Sequence, residues 1–340
     1  MKMKYSSLLA IACALSLACG SKTTDTEAAS PEPAAEPTPT PPEPTPEEKK
    51  KAEDLAKLEA DRAKLEADHE ADLARWTPEL KAEAKAVAEK DYASGKAALK
   101  AATAAKYRKP GNAERDAQRH PLETLEFFGF KPNQTVLEYG PGEGWYTELL
   151  APALAKKGKL LITNGDPNGP KEERSTYYAE RTKLLLDRSP ELFSKVETVV
   201  IDGKAPDLKL EGTVDLIVLM RGLHGMQNGG TLSTWLAEFH TALKPKGVLA
   251  IEQHRAKADA VAADSSKQGY LPEAWVIEQV QAAGFKLAGK SEINANAKDT
   301  KDHPNGVWTL PPSLALGDTD REKYVAIGES DRMTLKFTKK

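Results

Sequence analysis

In this 340-residue chain the residues whose types and spacing suit chemistry begin at Glu138, which is followed by glycines at every second position: Gly140, Gly142 and Gly144. Without a Cβ, such a loop can turn tightly and let a ligand lie against main-chain N–H groups. A dinucleotide fingerprint would need its third glycine one position later, where the chain has Trp145, so the pattern is E-x-G-x-G-x-G rather than G-x-G-x-x-G. Further on come Asp166, the pair Asp202-Gly203, and Arg221, His224 and His254. Imidazole titrates near neutral pH, so His224 and His254 suit proton transfer. The guanidinium of Arg221 is a permanently charged planar fork that suits an anion. Each has a plainer reading: a histidine that ties a loop to the backbone, an arginine in a salt bridge, a glycine in an ordinary turn. A metal site from His224, His254 and Glu252 is conceivable, but the spacing does not demand one, and no metal is expected.

The elements that must position these residues alternate. The run Thr135-Val-Leu137 reads as a strand, followed by the glycine loop and a helix from Tyr146. Further strands are expected at 159–163, 196–201, 214–220 and 248–252, with helices at 122–130, 175–187, 231–243 and 272–283. The stretch 214–220 is apolar at nearly every position, as a strand buried on both faces should be. Late strands at 285–293 and 333–337 are expected to pair as a closing hairpin. Alternation of this kind gives an α/β fold with a mostly parallel, doubly wound sheet. Ligands of such sheets sit outside the carboxyl ends of the strands. The residues singled out above fall at or just beyond five strand ends, with Asp166 a little later than a strand-end acid normally lies.

These motifs resemble a bacterial family of predicted class I S-adenosylmethionine-dependent methyltransferases. The resemblance is carried by Glu138–Gly144 with Trp145-Tyr-Thr-Glu-Leu-Leu-Ala151, by Asp202-Gly203, Val214-Asp-Leu216 and Arg221-Gly-Leu-His224, and by Leu243-Lys-Pro-Lys-Gly-Val248 and Glu252-Gln-His-Arg255. Ala282-Ala-Gly-Phe285, the segment 296–302 and Ser330-Asp-Arg-Met-Thr-Leu-Lys-Phe337 add to it. It covers residues 108–340. It implies a Rossmann-like class I methyltransferase fold: a mostly parallel seven-stranded sheet with an antiparallel last strand. It also implies S-adenosylmethionine as cofactor, held by Glu138, Gly140, Gly142, Gly144, Asp166, Asp202 and Gly203, with His224, His254 and Arg221 on the catalytic side. The chain departs from the family at Lys246, where such turns commonly read Pro-Gly-Gly, and at 163–166, where the displaced acid puts the ribose contact in question.

The N-terminal third is of a different kind. Lys2, Lys4 and the apolar run 8–18 read as an export signal too short to span a bilayer. Ala18-Cys19-Gly20 resembles a lipoprotein cleavage site, with Ser16 where leucine is usual. Residues 1–19 are therefore expected to be a lipoprotein-type signal peptide, with a lipid anchor at Cys19 and an exported, membrane-anchored location. Cys13 and Cys19 are the only cysteines, so the globular part has no disulfide, thiol nucleophile or cysteine metal site. Residues 20–46 are rich in Pro, Thr, Glu and Ala and read as a disordered linker. Residues 47–107 are dominated by Ala, Lys and Glu and read as a helical region. There Ala56-Lys-Leu-Glu-Ala-Asp61 recurs at 63–68 with Leu58 and Leu65 in phase, one large apolar residue per heptad, which suits a solvated helix better than a coiled-coil seam. A proline restart at Thr77-Pro78 leads into a second helix over about 78–107.

Lysine and arginine total 48 against 51 aspartate and glutamate, a formal charge of −3. No basic stripe interleaves with aromatics, so the expected partner is a small-molecule substrate rather than nucleic acid. The oligomeric state is not legible. The first reading is therefore a methyltransferase acting on a small-molecule or envelope acceptor. The alternatives are a non-catalytic, membrane-tethered binding module that holds a nucleoside-like ligand, and a scaffold. The segment 296–312, polar and rich in Asp, Lys and Pro, reads as a lid, a recognition element or a plain surface loop.

Overall fold

The computed structural model describes residues 43–340; the expected signal peptide, Cys19 and nearly all of the expected linker lie outside the described residues. Residues 48–340 form one compact unit. Its centre is a seven-stranded sheet in the order β3-β2-β1-β4-β5-β7-β6. The strands are β1 (Thr135–Tyr139), β2 (Lys159–Asn164), β3 (Val196–Val200), β4 (Val214–Met220), β5 (Leu243–His254), β6 (Phe285–Ser291) and β7 (Arg332–Lys339). The first five pair in parallel, and β7 runs antiparallel between β5 and β6. The sheet is thus parallel except for its last strand, as the resemblance implied.

Strand alternation explains how both faces are covered. On β4, Leu216 and Val218 enter one core and Ile217 and Leu219 the other. The first core takes α4 (Pro121–Phe128) and α5 (Thr147–Leu154) through Leu125, Phe128, Leu149 and Leu150. The second takes α7 (Leu232–Ala242) and α8 (Glu273–Ala282) through Trp235, Phe239, Val276 and Val280. Helix α6 (Arg174–Asp187) follows β2 and sends Leu185 into the first core.

The N-terminal helices join the same body. Helix α1 (Pro46–Arg75) is largely exposed, but Leu58 is buried and Leu65 half-buried, so the repeated leucines face inward. Ion pairs of Asp61 with Arg174, Arg62 with Glu180 and Asp72 with Arg188 moor it to the domain. The single helix expected over 78–107 is two: α2 (Pro78–Glu89) and α3 (Gly95–Thr103). Thr77 Oγ1 caps α2 by accepting the Leu80 N–H at 3.3 Å, and Ser94 Oγ caps α3 by accepting from Ala97 at 3.2 Å. At Gly95 a Cβ would stand 2.3 Å from the Phe130 carbonyl oxygen, so only glycine lets the chain pass there. Trp76, Ala84, Ala98 and Leu99 share the first core with the sheet.

Two sequence expectations are revised. The turn expected at 244–247 is instead part of β5, where the register to β4 shifts between Leu243 and Val248 and Lys246 sits at φ 65°. That conformation suits glycine, which accounts for the usual Pro-Gly-Gly. Strands β6 and β7 do pair, but they are joined by residues 292–331 rather than by a hairpin turn. That excursion is partly buried: Asn294, Asp299 and Thr309 are enclosed, and Asp299 accepts from Tyr270 Oη, from the Asp331 N–H and from His303.

Candidate active site

Two cavities open at the carboxyl ends of the strands. The first, of about 490 Å³, is walled by the glycine loop after β1, the residues after β2, the start of α6, and Asp202-Gly203 after β3. Its volume suits a small-molecule site. Gly140 and Gly142 lie at φ 57° and 61°, and a Cβ on Gly140 would have no atom within 4 Å, while one on Gly142 would meet only Arg181 at 4.0 Å. The loop therefore presents bare backbone to open space. Its position is set by Thr163, whose Oγ1 accepts the Gly140 N–H at 2.9 Å and so ties the loop to β2.

Asp166 and Asp202 both line this cavity, each with one carboxylate oxygen accepting the backbone N–H two residues on, at 2.8 Å. These are Asx turns: one oxygen orients the loop and the other remains for a ligand hydroxyl or amine. Sequence reasoning missed the opposite wall, where α6 contributes Tyr178 and Arg181. Only the pairing of the strands places those residues against the glycine loop.

Glu138 and Gly144 do not line the cavity. Glu138 is 3% exposed, and its Oε2 accepts the Thr147 hydroxyl at 2.8 Å. Burial pushes its carboxyl up to about 7, against smaller opposing effects of the Thr147 bond and of Arg221. A Cβ at Gly144 would collide with Leu185 at 2.2 Å, so this glycine serves the packing of the loop on α6.

The second cavity, of about 310 Å³, lies at the ends of β4 and β5 and is lined by Arg221, His224 and His254 together with Arg119, Trp308 and Pro311-Pro312. The structure thus brings together the three residues expected on the catalytic side. The imidazole centroids are 5.9 Å apart, and His224 also meets Trp308 edge-on at 5.9 Å. His254 Nδ1 lies 2.5 Å from Ser330 Oγ, and His224 Nδ1 lies 3.3 Å from the amide of the buried Gln253. Burial is the largest influence on both and lowers both; Arg221 and His224 add to it at His254, which falls well below the usual imidazole value. Both rings are therefore neutral at pH 7, each with a free nitrogen lone pair but a weakened hold on a proton.

A buried ionic cluster forms part of the wall of this cavity, through Arg119, Arg221 and Glu329, and extends behind it. Glu252, fully buried, is bonded by Arg221 at 2.7 Å and Tyr146 Oη at 3.0 Å, with Arg332 at 3.2 Å. Glu329 is paired with Arg115 and Arg119 at 2.9 Å each and with Arg332. Burial alone would raise the Glu329 carboxyl, but the arginines overcome it and hold it at about 2. Arg119 also lies over Trp145, 4.9 Å from the ring centroid, while the indole N–H donates to the Asn112 carbonyl at 2.9 Å. Trp145 thus supports Arg119 from within the core.

The two cavities lie side by side, because β1 and β4 are neighbours with Tyr139 opposite Leu219. Three of the four other histidines keep to structural places: His303 bonds Asp299 at 2.9 Å, His240 packs edge-on against Phe285, and His120 stands at the N-cap position of a helix at φ 41°; His69, on α1, lines neither of the two cavities. Among the described residues no group of histidines, cysteines and carboxylates is arranged to hold a metal ion, and no helix is long and apolar enough to cross a membrane.

A family model described as a methyltransferase domain matches residues 113–287, which span β1 to the start of β6. Several solved structures are similar. One is a SAM-dependent methyltransferase from Aquifex aeolicus, at 18% identity, 68% of this chain and 93% of that one, with a TM-score of 0.42. Another is the Burkholderia thailandensis 1,6-didemethyltoxoflavin-N1-methyltransferase with bound 1,6-didemethyltoxoflavin and S-adenosylhomocysteine, at 18% identity, 66% and 79% coverage and 0.40. A third is the [4+2]-cyclase SpnF, at 16% identity, 65% and 81% coverage and 0.47. No curated protein matches this chain.

Proposed function

This chain belongs to the methyltransferase-domain family, and on that premise we propose that it is an S-adenosylmethionine-dependent methyltransferase acting on a small-molecule acceptor. The observation that carries the reading is the bare backbone of Gly140 and Gly142 facing a cavity bordered by two half-free aspartates. The site fits the cofactor. The flat main chain suits close approach, Asp166 offers an oxygen to ribose hydroxyls, and Asp202 offers one to an adenine amine. When bound, S-adenosylmethionine supplies an electrophilic methyl: the acceptor's lone pair forms the new bond to carbon while the carbon–sulfur pair leaves on sulfur.

The chain's own residues then hold and align the partners, which is where most of the rate of such a displacement arises. His224 or His254, neutral and facing the second cavity, takes the proton that an oxygen or nitrogen acceptor loses. Arg221, fixed to Glu252, helps position what enters beside them. Calorimetric titration with S-adenosylhomocysteine tests the reading. Binding that Gly142→Leu abolishes supports it, and an unchanged affinity in that variant overturns it.

The location remains a proposal resting on residues 1–19: an exported protein tethered by a lipid on Cys19, where S-adenosylmethionine must be supplied from the cytoplasm. Labelling with a radioactive fatty acid in a bacterial host tests it. Incorporation should be lost on Cys19→Ala, and a label that survives the change rules the anchor out.

A further inference from the structure

The cluster beside the second cavity contains more positive than negative charge. Four guanidinium groups, Arg115, Arg119, Arg221 and Arg332, face two carboxylates held ionised, Glu252 and Glu329. The remaining neighbour, Glu138, is pushed towards its neutral form. Unbalanced buried charge is costly unless something pairs with it.

The excess is concentrated at two side chains that line the cavity. Arg119 is 4% exposed and gives only its Nε to Glu329; among the described residues its two terminal nitrogens donate to nothing. Arg221 gives one terminal nitrogen to Glu252, and its other guanidinium nitrogens likewise lack a partner. Burial lowers the basicity of Arg119, and Arg221 is close enough to lower it further. Glu329, which also lines the cavity, meets Arg119 only through Nε and is shared with Arg115 and Arg332, so it engages the terminal nitrogens of neither Arg119 nor Arg221.

Arg221 is also held in an unusual conformation. Its φ is 59°, in the left-handed region that strains a non-glycine residue. Its N–H donates to the Glu252 carbonyl at 2.6 Å while its side chain bonds the Glu252 carboxylate. Glu252 thus fixes both the backbone and the side chain of an arginine aimed at a cavity. The same cavity is also lined by apolar groups: Val307, Trp308, 39% exposed, and Pro311-Pro312.

We propose that the second cavity binds a methyl acceptor carrying a carboxylate, which the free guanidinium nitrogens of Arg119 and Arg221 grip while its apolar body lies against Trp308 and Pro311-Pro312. Guanidinium groups bind carboxylates through paired, charge-assisted hydrogen bonds, which give both strength and direction. Neither arginine lines the glycine-loop cavity, so this seat belongs to the acceptor and not to the amino-acid end of the cofactor. The word acceptor rests on the methyltransferase reading; the carboxylate seat itself does not.

The test uses the full chain. Benzoate and phenylacetate are the probes, with benzamide and phenylacetamide as uncharged counterparts of the same shape. Ligand-observed NMR measures their dissociation constants with and without saturating S-adenosylhomocysteine. Each acid is expected to bind at least tenfold more tightly than its amide. Arg119→Lys and Arg221→Lys, which keep a charge for the buried glutamates, should each weaken the acids about tenfold and leave the amides unchanged. Trp308→Ala, at a partly exposed position, should weaken acids and amides alike. Equal binding of acids and amides, no binding of either acid, or competition between acid and S-adenosylhomocysteine overturns the proposal. If the acids bind as expected but S-adenosylhomocysteine does not bind at all, the carboxylate seat stands and the methyltransferase reading fails.

Discussion

The glycine-loop cavity and the arginine–histidine cavity lie at the ends of neighbouring strands and are built in opposite ways. The first is made of backbone: Gly140 and Gly142 at positive φ, two aspartates in Asx turns, and a threonine tying the loop to β2. The second is made of buried charge: Glu252 and Glu329 are enclosed and hold arginines from segments far apart in the chain. A cavity of bare main chain is inexpensive to fold and sensitive to any added atom. A cavity of paired charges is sensitive to any lost one, because the partner left behind stays buried. The two should therefore fail differently, the first in ligand binding and the second in stability.

The largest effect is expected at the ionic cluster. Arg332→Ala removes a side chain 1% exposed that serves both Glu252 and Glu329. It should cost about 3–5 kcal/mol, because a large enclosed side chain is lost and Glu252 and Glu329 each lose one of several charged partners. A Tm fall of roughly 10 °C in calorimetry would match that loss. A variant as stable as the parent would mean that the cluster is open to water, and the contrast between the cavities would disappear.

Next comes a comparison within the glycine loop itself. Gly142→Ala pays for left-handed backbone, about 1–2 kcal/mol, with only Arg181 near its methyl group, at 4.0 Å. Gly144→Ala meets the same strain and in addition strikes Leu185, so its unfolding free energy should fall by roughly 2–4 kcal/mol. Denaturant titration separates the two. Equal losses would show that Leu185 moves aside and that Gly144 belongs to the cradle after all.

That distinction marks the limit of what was legible in the sequence. The alternation of apolar runs and turns placed the strands, and β4 falls at 214–220 as its apolar run implied. Local spacing flagged all three glycines, but nothing local says which of them faces a cavity and which faces a leucine on a helix forty residues later. Arg119 carried no signal. Its partner Glu329 is 210 positions away, and the two meet only because the excursion between β6 and β7 returns over the strand ends. Trp308 and Pro311 sit in a segment that composition described only as long and polar. The histidines and Arg221 were legible because each lies just past an apolar strand, where sheets of this kind place their ligands. The break between α2 and α3 was missed because the helix formers on both sides are strong, whereas the close approach of Gly95 to Phe130, where α3 begins, is a long-range contact.

A third effect concerns the carboxyl between the two regions. Glu138 is raised in the folded chain to about 7 from an ordinary 4.5, with burial as the main cause. Between those values the folded form binds more protons than the unfolded one. The contribution of the neutral carboxyl is therefore complete below about pH 4.5 and is lost as the pH rises through 7. The loss amounts to about 3 kcal/mol at most. Glu138→Gln cannot ionise and should show a flatter stability profile over that window. Glu329 works in the opposite sense: its lowered carboxyl contributes stability above about pH 4.5 that is lost as the pH falls towards 2. If wild type and Glu138→Gln show parallel profiles from pH 4.5 to 8, Glu138 is ionised throughout and the space beside β1 is wetter than its burial implies.

The smallest expected effect is an absence of change, and it separates the two histidine roles. Burial and the arginines hold His254 well below the usual imidazole range, and burial lowers His224. A histidine lowered on folding binds fewer protons folded than unfolded, so the stability it contributes is present above about pH 6.5 and lost as the pH falls below it. The same environment keeps the base free. In NMR titration the His254 ring protons should stay at their neutral positions from pH 8 down past 6.5, while the more open His240 moves first. The methyl-transfer rate should likewise show no limb near pH 6.5. A ring that titrates at the ordinary value would have to share its pocket with water or with a resident anion that offsets the arginines. Adding benzoate to the sample distinguishes these cases: an anion seated between Arg119 and Arg221 should raise the His254 value, whereas water alone leaves it unchanged by the probe.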